Sequence, residues 1–292
     1  MGVTGNGLVI FVTSYKMKTT VNSIWFLNLA IADFIFSMFL IFDIAADLYK
    51  NIFLYLGKVI HACCYFVFLL NMFASVFFLT VISVDRCLCT WMVVWVQNKR
   101  SLVKARLICI FVWILSICCS ISSFTLMYLQ IFFPVALYTF MFMVSFLIPF
   151  LITASSYIAI GMRVKSLKRG KQLRSYRVII SVVLAFFICW FPFHVHKLCL
   201  ISAFKYNWSD SAKRKLSAAT PFVYCLAHLN SCLNPMLYVF MCNEFKVKLK
   251  KSLLLVLEAA FTEEHLSMRS PSLPHTSQCH QVPSVLIDDT TI

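Results

Sequence analysis

Seven stretches of predominantly apolar residues, separated by short polar or basic connections, constrain this chain more than any other feature. A helix needs about 20 apolar residues to cross the hydrocarbon core of a bilayer. The runs lie at about 1–15, 21–46, 61–88, 107–127, 137–162, 178–203 and 216–240. The first is short: at ~1.5 Å per residue it covers about 22 Å, so it reads as the inner end of a helix whose outer half is absent. The expected fold is an all-α membrane protein, a seven-transmembrane helix bundle with its first helix truncated. The connection at 51–60, with Gly57, is expected to be a loop, and Pro149 marks a kink point within the fifth run.

Composition agrees. The chain is 61% hydrophobic and only 13% charged, with a mean hydropathy of +0.85, which excludes an ordinary soluble domain. Its net charge of +15 sits in short clusters between apolar runs, the pattern of loops facing anionic lipid rather than nucleic acid. Most of the 13 cysteines, Cys109, Cys118, Cys189 and Cys225 among them, fall inside apolar runs and read as small buried hydrophobes rather than a disulfide framework. The start of the chain lacks the basic region and cleavage site of a cleaved signal peptide.

Basic residues set the expected orientation. Arg163, Lys165, Lys168, Arg169, Lys171, Arg174 and Arg177 share one connection without an acid. That connection, those after the first and third runs, and the tail are therefore assigned to the cytoplasm, and the amino terminus to the outside. Lys205, Lys213, Arg214 and Lys215 make one outer loop basic as well, and the parity of seven spans outvotes them. In this orientation the sequon Asn207-Trp208-Ser209 faces outside, where glycosylation can occur. The expected division is a bundle over 1–242, an amphipathic helix on the inner membrane surface over 243–260, and a disordered cytoplasmic tail over 261–292.

Polar residues within the runs need partners. Asn6, Asp33, Asn71, Ser75, Asn230, Ser231 and Asn234 occur at similar depths and are expected to converge. Such a cluster forms either a hydrogen-bonded packing core or an oxygen cage for a sodium ion beside Asp33. At the end of the third run Asp85 and Arg86 stand together where it meets water, as an interfacial pair that snorkels or as a functional one.

Several motifs occur in order: Gly5-Asn6, Leu29-Ala30-Ile31-Ala32-Asp33, Asp85-Arg86-Cys87, Trp113, Pro149 with Tyr157, Cys189-Trp190-Phe191-Pro192 and Asn234-Pro235-Met236-Leu237-Tyr238. Together they resemble the fingerprint of rhodopsin-like (class A) G-protein-coupled receptors. Lys16-Met17-Lys18-Thr19-Thr20-Val21-Asn22, Asn71-Met72-Phe73-Ala74-Ser75 and Trp95-Val96-Gln97-Asn98-Lys99-Arg100 resemble its chemoattractant branch, the chemerin (chemokine-like) and formyl peptide receptors, with chemerin-like favoured.

The resemblance implies a plasma-membrane receptor that signals rather than catalyses. It implies a G-protein switch at Asp85, Arg86, Tyr157, Tyr238, Asn234 and Pro235, and an activation hinge at Phe186, Trp190 and Pro192. The implied partners are a heterotrimeric G protein of the inhibitory class, arrestin through a phosphorylated tail, membrane lipid, and an extracellular peptide or protein chemoattractant. No cofactor is implied beyond the sodium ion. Phe68 and Leu69 give the third helix no acid in its pocket face, which disfavours a small amine. Asp43, Asp47, His194, Lys197, Tyr224 and His228 are the remaining pocket candidates, a mixture suited to a peptide terminus.

The chain departs from the family pattern in places. His61 occupies the place of the expected third-helix cysteine, Ile41 and Val93 replace prolines, and the outer connection between the fourth and fifth runs is short and holds no cysteine, so the usual outer disulfide cannot form. An incomplete chain from a working receptor and a degenerate or decoy receptor both remain open. A transporter would call for an inverted repeat, which the sequence lacks.

Overall fold

The computed structural model describes residues 2–48, 54–128, 134–166 and 173–241. All regular structure among them is helical. Helix α1 (Gly2–Phe11) continues through a π-helical turn (Val12–Lys16), followed by α2 (Val21–Leu48), α3 (Leu54–Trp91), the short α4 (Val93–Lys99) and α5 (Leu102–Tyr128). Then α6 (Pro134–Phe142) runs through a second π turn (Met143–Leu147) into α7 (Ile148–Ser166), and α8 (Leu173–Lys205) and α9 (Asp210–Met241) complete the bundle. In hydrocarbon every backbone N–H and C=O must be satisfied within its own segment, and the helix does this wherever the side chains are apolar. Among the described residues, five spans meet the length and apolarity needed to cross a membrane: Val21–Ala45, Gly57–Trp91, Leu102–Thr125, Val135–Arg163 and Val183–Lys205.

Helix starts are written into local sequence. The Ser23 backbone N–H donates to Thr20 Oγ1 at 3.1 Å, and the Thr20 N–H donates to Ser23 Oγ at 2.7 Å, a reciprocal cap that opens α2. Ser101 and Ser209 hydroxyls accept from the backbones of Lys104 and Ala212 and open α5 and α9.

One expectation changes. Gly57 is helical rather than part of a loop, because α3 starts at Leu54 and is 38 residues long, about 57 Å. A π turn over Met143–Leu147 stands just before Ile148 and Pro149, and a proline and a π turn are both causes of helix kinks.

Helix α3 packs against α2, α5 and α7, while α1 sits against both α2 and α9 and closes the ring. Gly5 is needed at that closure: a Cβ there would stand 2.9 Å from Pro235 on α9. The burial pattern is inside out relative to a soluble protein. Asn6, Asp33, Asn71, Ser75 and Asn234 are buried, while Ile110, Phe111, Ile158 and Ile188 are exposed on the bundle's outer wall. The expected amphipathic helix over 243–260 and the tail over 261–292 lie outside the described residues.

Candidate functional site

Three layers of chemistry run down α3. At the His61 end, a cavity of about 430 Å³ opens between α2, α3 and α9, lined by Phe36, Asp43, His61, Tyr65, Phe68 and His228, with Tyr224 beside them. Four of the pocket candidates, Asp43, Phe68, Tyr224 and His228, come together there. His61, where the sequence lacks the expected cysteine, instead pairs its Nδ1 with Asp43 Oδ1 at 2.6 Å and ties α3 to α2. Every described cysteine is a free thiol. His228 Nδ1 also contacts the Tyr224 carbonyl.

The other pocket candidates lie elsewhere. Leu69 is fully buried in the apolar core, because successive residues on a helix point about 100° apart and Phe68 takes the cavity face. His194 is buried against Phe142, Phe146 and Phe193, its Nε2 3.4 Å from Ser145 Oγ in the second π turn. Lys197 stands over the rings of Tyr138, Phe193 and Tyr224. Asp47 lies in α2, but its side chain is outside the described residues.

Phe68 forms the floor of the cavity. Its ring centroid lies 5.2 Å from Trp190, 5.4 Å from Phe193 and 5.6 Å from His228. Trp190 packs on Phe186 at 5.9 Å, both almost wholly buried, two and six residues before Pro192. Pro192 lacks an N–H and so leaves the Ile188 carbonyl of α8 without its helical donor.

The middle layer is polar. Asp33 accepts on Oδ1 from the Asn71 amide at 2.9 Å and on Oδ2 from the Asn234 amide at 2.6 Å, joining α2, α3 and α9. Ser231 donates to Asn71 Oδ1 at 3.3 Å, and Asn6 donates to the Ser231 carbonyl at 2.9 Å, adding α1. Ser75 Oγ and the side-chain amide of Asn230 are buried without a hydrogen-bond partner among the described residues. All seven sequence-predicted polar residues are thus buried, and five of them share one hydrogen-bonded network. The unpartnered Ser75 and Asn230 oxygens together with the Asp33 carboxylate are a donor set that fits a small hard cation.

At the Arg86 end, Asp85 is held by two arginines. Arg100, the residue that ends α4, donates from Nε to Oδ1 at 2.9 Å and from Nη2 to Oδ2 at 2.8 Å. Arg86 Nη2 lies 3.4 Å from Oδ2. Both guanidinium groups also converge on Asn22 Oδ1 of α2, Arg100 at 2.6 Å and Arg86 in closer contact. The fork geometry of Arg100 is the stronger pairing. In the sequence Arg100 and Asn22 stand only as parts of motifs, since spacing along the chain does not show that the end of α4 folds back on α3.

Tyr157 on α7 accepts a hydrogen bond from Ser83, one turn from Arg86, at 3.2 Å. Trp91 donates to the Ala159 carbonyl at 3.1 Å and lies under the Arg163 guanidinium, binding α3 to α7 at the same level. Tyr238 lies in α9 with its side chain outside the described residues, while Pro235 is buried. Asn207 adopts a left-handed φ of 52° in the exposed turn between α8 and α9.

Residues 5–238 match the family model described as 7 transmembrane receptor (rhodopsin family). The C3a anaphylatoxin chemotactic receptor of Danio rerio is 38% identical over 98% of this chain and 80% of its own length. The chemerin-like receptor 1 of Homo sapiens is 34% identical over 90% of this chain and 78% of its own length. Formyl peptide receptor 2 of Mus musculus is 32% identical over 95% of this chain and 86% of its own length.

Proposed function

The chain belongs to the rhodopsin family of seven-transmembrane receptors, a multi-pass membrane receptor rather than an enzyme, and on that premise we propose that it receives an extracellular peptide or protein chemoattractant at the plasma membrane. Its amino terminus and the Asp43–His61 cavity face outside, and Arg86 faces the cytoplasm. The observation that carries this reading is the position of Phe68, which lines the cavity and rests on Trp190 at 5.2 Å. A ligand that moves Phe68 must also repack Trp190 and Phe186, on the side of α8 where Pro192 has removed a backbone restraint.

In this mechanism the ligand has different affinities for two arrangements of the bundle and shifts their populations. One arrangement is held at the Arg86 end by Arg100, Asp85 and Asn22. In the other, the Arg86 end of α8 swings outward on Pro192, Arg86 leaves Asp85, and Tyr157 and Tyr238 turn toward it. A heterotrimeric G protein of the inhibitory class enters the opening, and arrestin follows once Ser267, Ser270, Ser272, Thr276 and Ser277 are phosphorylated. Asp33, Ser75 and Asn230 would hold a sodium ion, which would supply a positive charge to the buried carboxylate.

The test is a screen of the purified receptor, reconstituted with inhibitory-class G protein, against C3a-derived, chemerin-derived and formylated peptides. Stimulated nucleotide exchange with one peptide class supports the reading. Saturable peptide binding without exchange assigns a decoy receptor, and failure of all three classes to bind a correctly folded chain rejects the chemoattractant assignment.

A further inference from the structure

We propose that the turn joining α8 to α9 is a binding site for a sulfated glycan of the cell surface. This inference rests on the outward orientation proposed above, which places the turn on the extracellular side. From Phe204 to Lys215 the chain carries four bases, Lys205, Lys213, Arg214 and Lys215, against one acid, Asp210. None of the four forms an ion pair among the described residues. The site is separate from the Asp43–His61 cavity, whose lining includes none of them.

Backbone hydrogen bonds fix the turn. Helix α8 ends with Asn207 in the left-handed region at φ 52° and with the Trp208 N–H donating to the Ala203 carbonyl at 3.0 Å, the closing bond of a Schellman cap. Ser209 then opens α9, its hydroxyl accepting from the Ala212 N–H at 3.3 Å and its carbonyl from the Lys213 N–H at 3.0 Å. The reversal brings α8 and the bases of α9 together. Lys213 donates from Nζ to Asn207 Oδ1 at 3.2 Å and lies 5.8 Å from the ring centroid of Phe204. Lys205 stands over Tyr206 at 5.3 Å. A glycan on Asn207 joins through Nδ2 and leaves Oδ1 to Lys213.

Local stability does not account for these charges. Lys205 suits the last turn of α8, but bases in the first turns of α9 face the positive end of its helix dipole, where acids are favoured. In the outward orientation they also stand on the side of the membrane that short loops rich in lysine and arginine avoid. Two general preferences are broken at one place, and an anionic partner offsets both.

The chemistry of the surface selects that partner. Arg214 and Lys215 are exposed, and so are Tyr206 and Trp208. Anionic phospholipid is concentrated in the cytoplasmic leaflet, on the other side of the membrane. A folded acidic protein engages about 20–30 residues a side, whereas ten residues are exposed from Phe204 to Lys215. A linear sulfated glycan binds through a few basic side chains and the release of its own counter-ions. The apolar faces of Tyr206 and Trp208 suit the C–H face of a pyranose ring.

The experiment measures binding of a fluorescent heparin oligosaccharide to the full chain on intact cells that make no glycosaminoglycan, where only outer residues are reachable. Lys213→Gln, Arg214→Gln and Lys215→Gln together should weaken binding about tenfold or more, while Lys213→Arg with Lys215→Arg should stay within about threefold of wild type. Lys16→Gln, Lys18→Gln and Lys165→Gln, which remove the same charge at the Arg86 end, should leave it unchanged, with melting temperatures showing that the variants fold. Doubling the sodium chloride should weaken binding about fivefold or more. Wild-type binding by the triple glutamine variant at 213–215, or equal displacement by desulfated heparin or polyglutamate, would overturn the proposal. The sequon in the same turn separates the two readings. A chain glycosylated at Asn207 that binds no heparin overturns the glycan site alone, and a chain with neither glycan nor heparin overturns the outward orientation together with it.

Discussion

Arg100 grips Asp85 with two parallel hydrogen bonds, Nε to Oδ1 at 2.9 Å and Nη2 to Oδ2 at 2.8 Å, while Arg86 stands 3.4 Å from the same carboxylate. Arg100 therefore fixes, from outside α3, the carboxylate that restrains Arg86. Hydrogen bonds to charged groups contribute about 1.5–3 kcal/mol, reduced here because the arginine side chain is 24% exposed. Arg100→Ala should loosen the restraining arrangement by about 1 kcal/mol, raising basal nucleotide exchange roughly fivefold. The assay is GTP-analogue loading without ligand, and unchanged basal exchange would remove Arg100 from the restraint.

Asp33 tests the buried network. In Asp33→Asn one amide group must face Asn71 or Asn234 with an N–H against an N–H, at about 1–3 kcal/mol. The variant should melt lower than wild type. Wild type should also gain about 1.4 kcal/mol in sodium chloride at a roughly tenfold excess over the dissociation constant, compared with an organic-cation chloride of equal ionic strength. Asp33→Asn should show no such gain, and an equal gain in both chains would place sodium elsewhere.

Gly5 tests the closure of the ring. Gly5→Ala places a methyl group 2.9 Å from Pro235 Cβ and Cγ, atoms of a rigid ring that cannot rotate away. Overpacking of this kind costs about 1–3 kcal/mol. Thermal unfolding in detergent should fall accordingly, whereas Gly57→Ala, with open space around it, should match or exceed wild type.

The His61–Asp43 pair is 39% and 34% exposed, so it contributes up to about 1 kcal/mol, less than the 2–4 kcal/mol typical of a disulfide. His61→Ala should cost less than about 1 kcal/mol of stability. Dithiothreitol should leave the melting temperature of wild type unchanged.

Much of this architecture was legible from chemistry alone. Apolar runs in a bilayer can only be helical, and buried Asn, Asp and Ser residues must find one another, so the spans and the Asp33 network followed from the residue types. What the sequence hid was direction. Nothing in the spacing turns the end of α4 toward Asp85, distinguishes Phe68 on the cavity from Leu69 in the core, or brings His61 to Asp43. Gly57 read as a loop because glycine weakens a helix by only about 1 kcal/mol, which the continuation of α3 overrides. Pro149 marked a kink point, but the proline alone does not show that a π turn precedes it at Met143–Leu147.

The orientation of the bundle has its own check at Asn207, whose turn between α8 and α9 is exposed. Expression in mammalian cells should give a glycosylated chain whose mobility shifts on glycosidase treatment, and Asn207→Gln should abolish the shift. A wild-type chain without glycan at that turn would leave the outward assignment unsupported.

The most direct test of the account is agonist-driven nucleotide exchange by wild type and Arg86→Ala, reconstituted with inhibitory-class G protein and matched for ligand binding. The account predicts that Arg86→Ala still binds the peptide but loses exchange by about tenfold or more, which corresponds to at least about 1.4 kcal/mol of coupling. Full agonist-driven exchange by a folded, ligand-binding Arg86→Ala chain would contradict it.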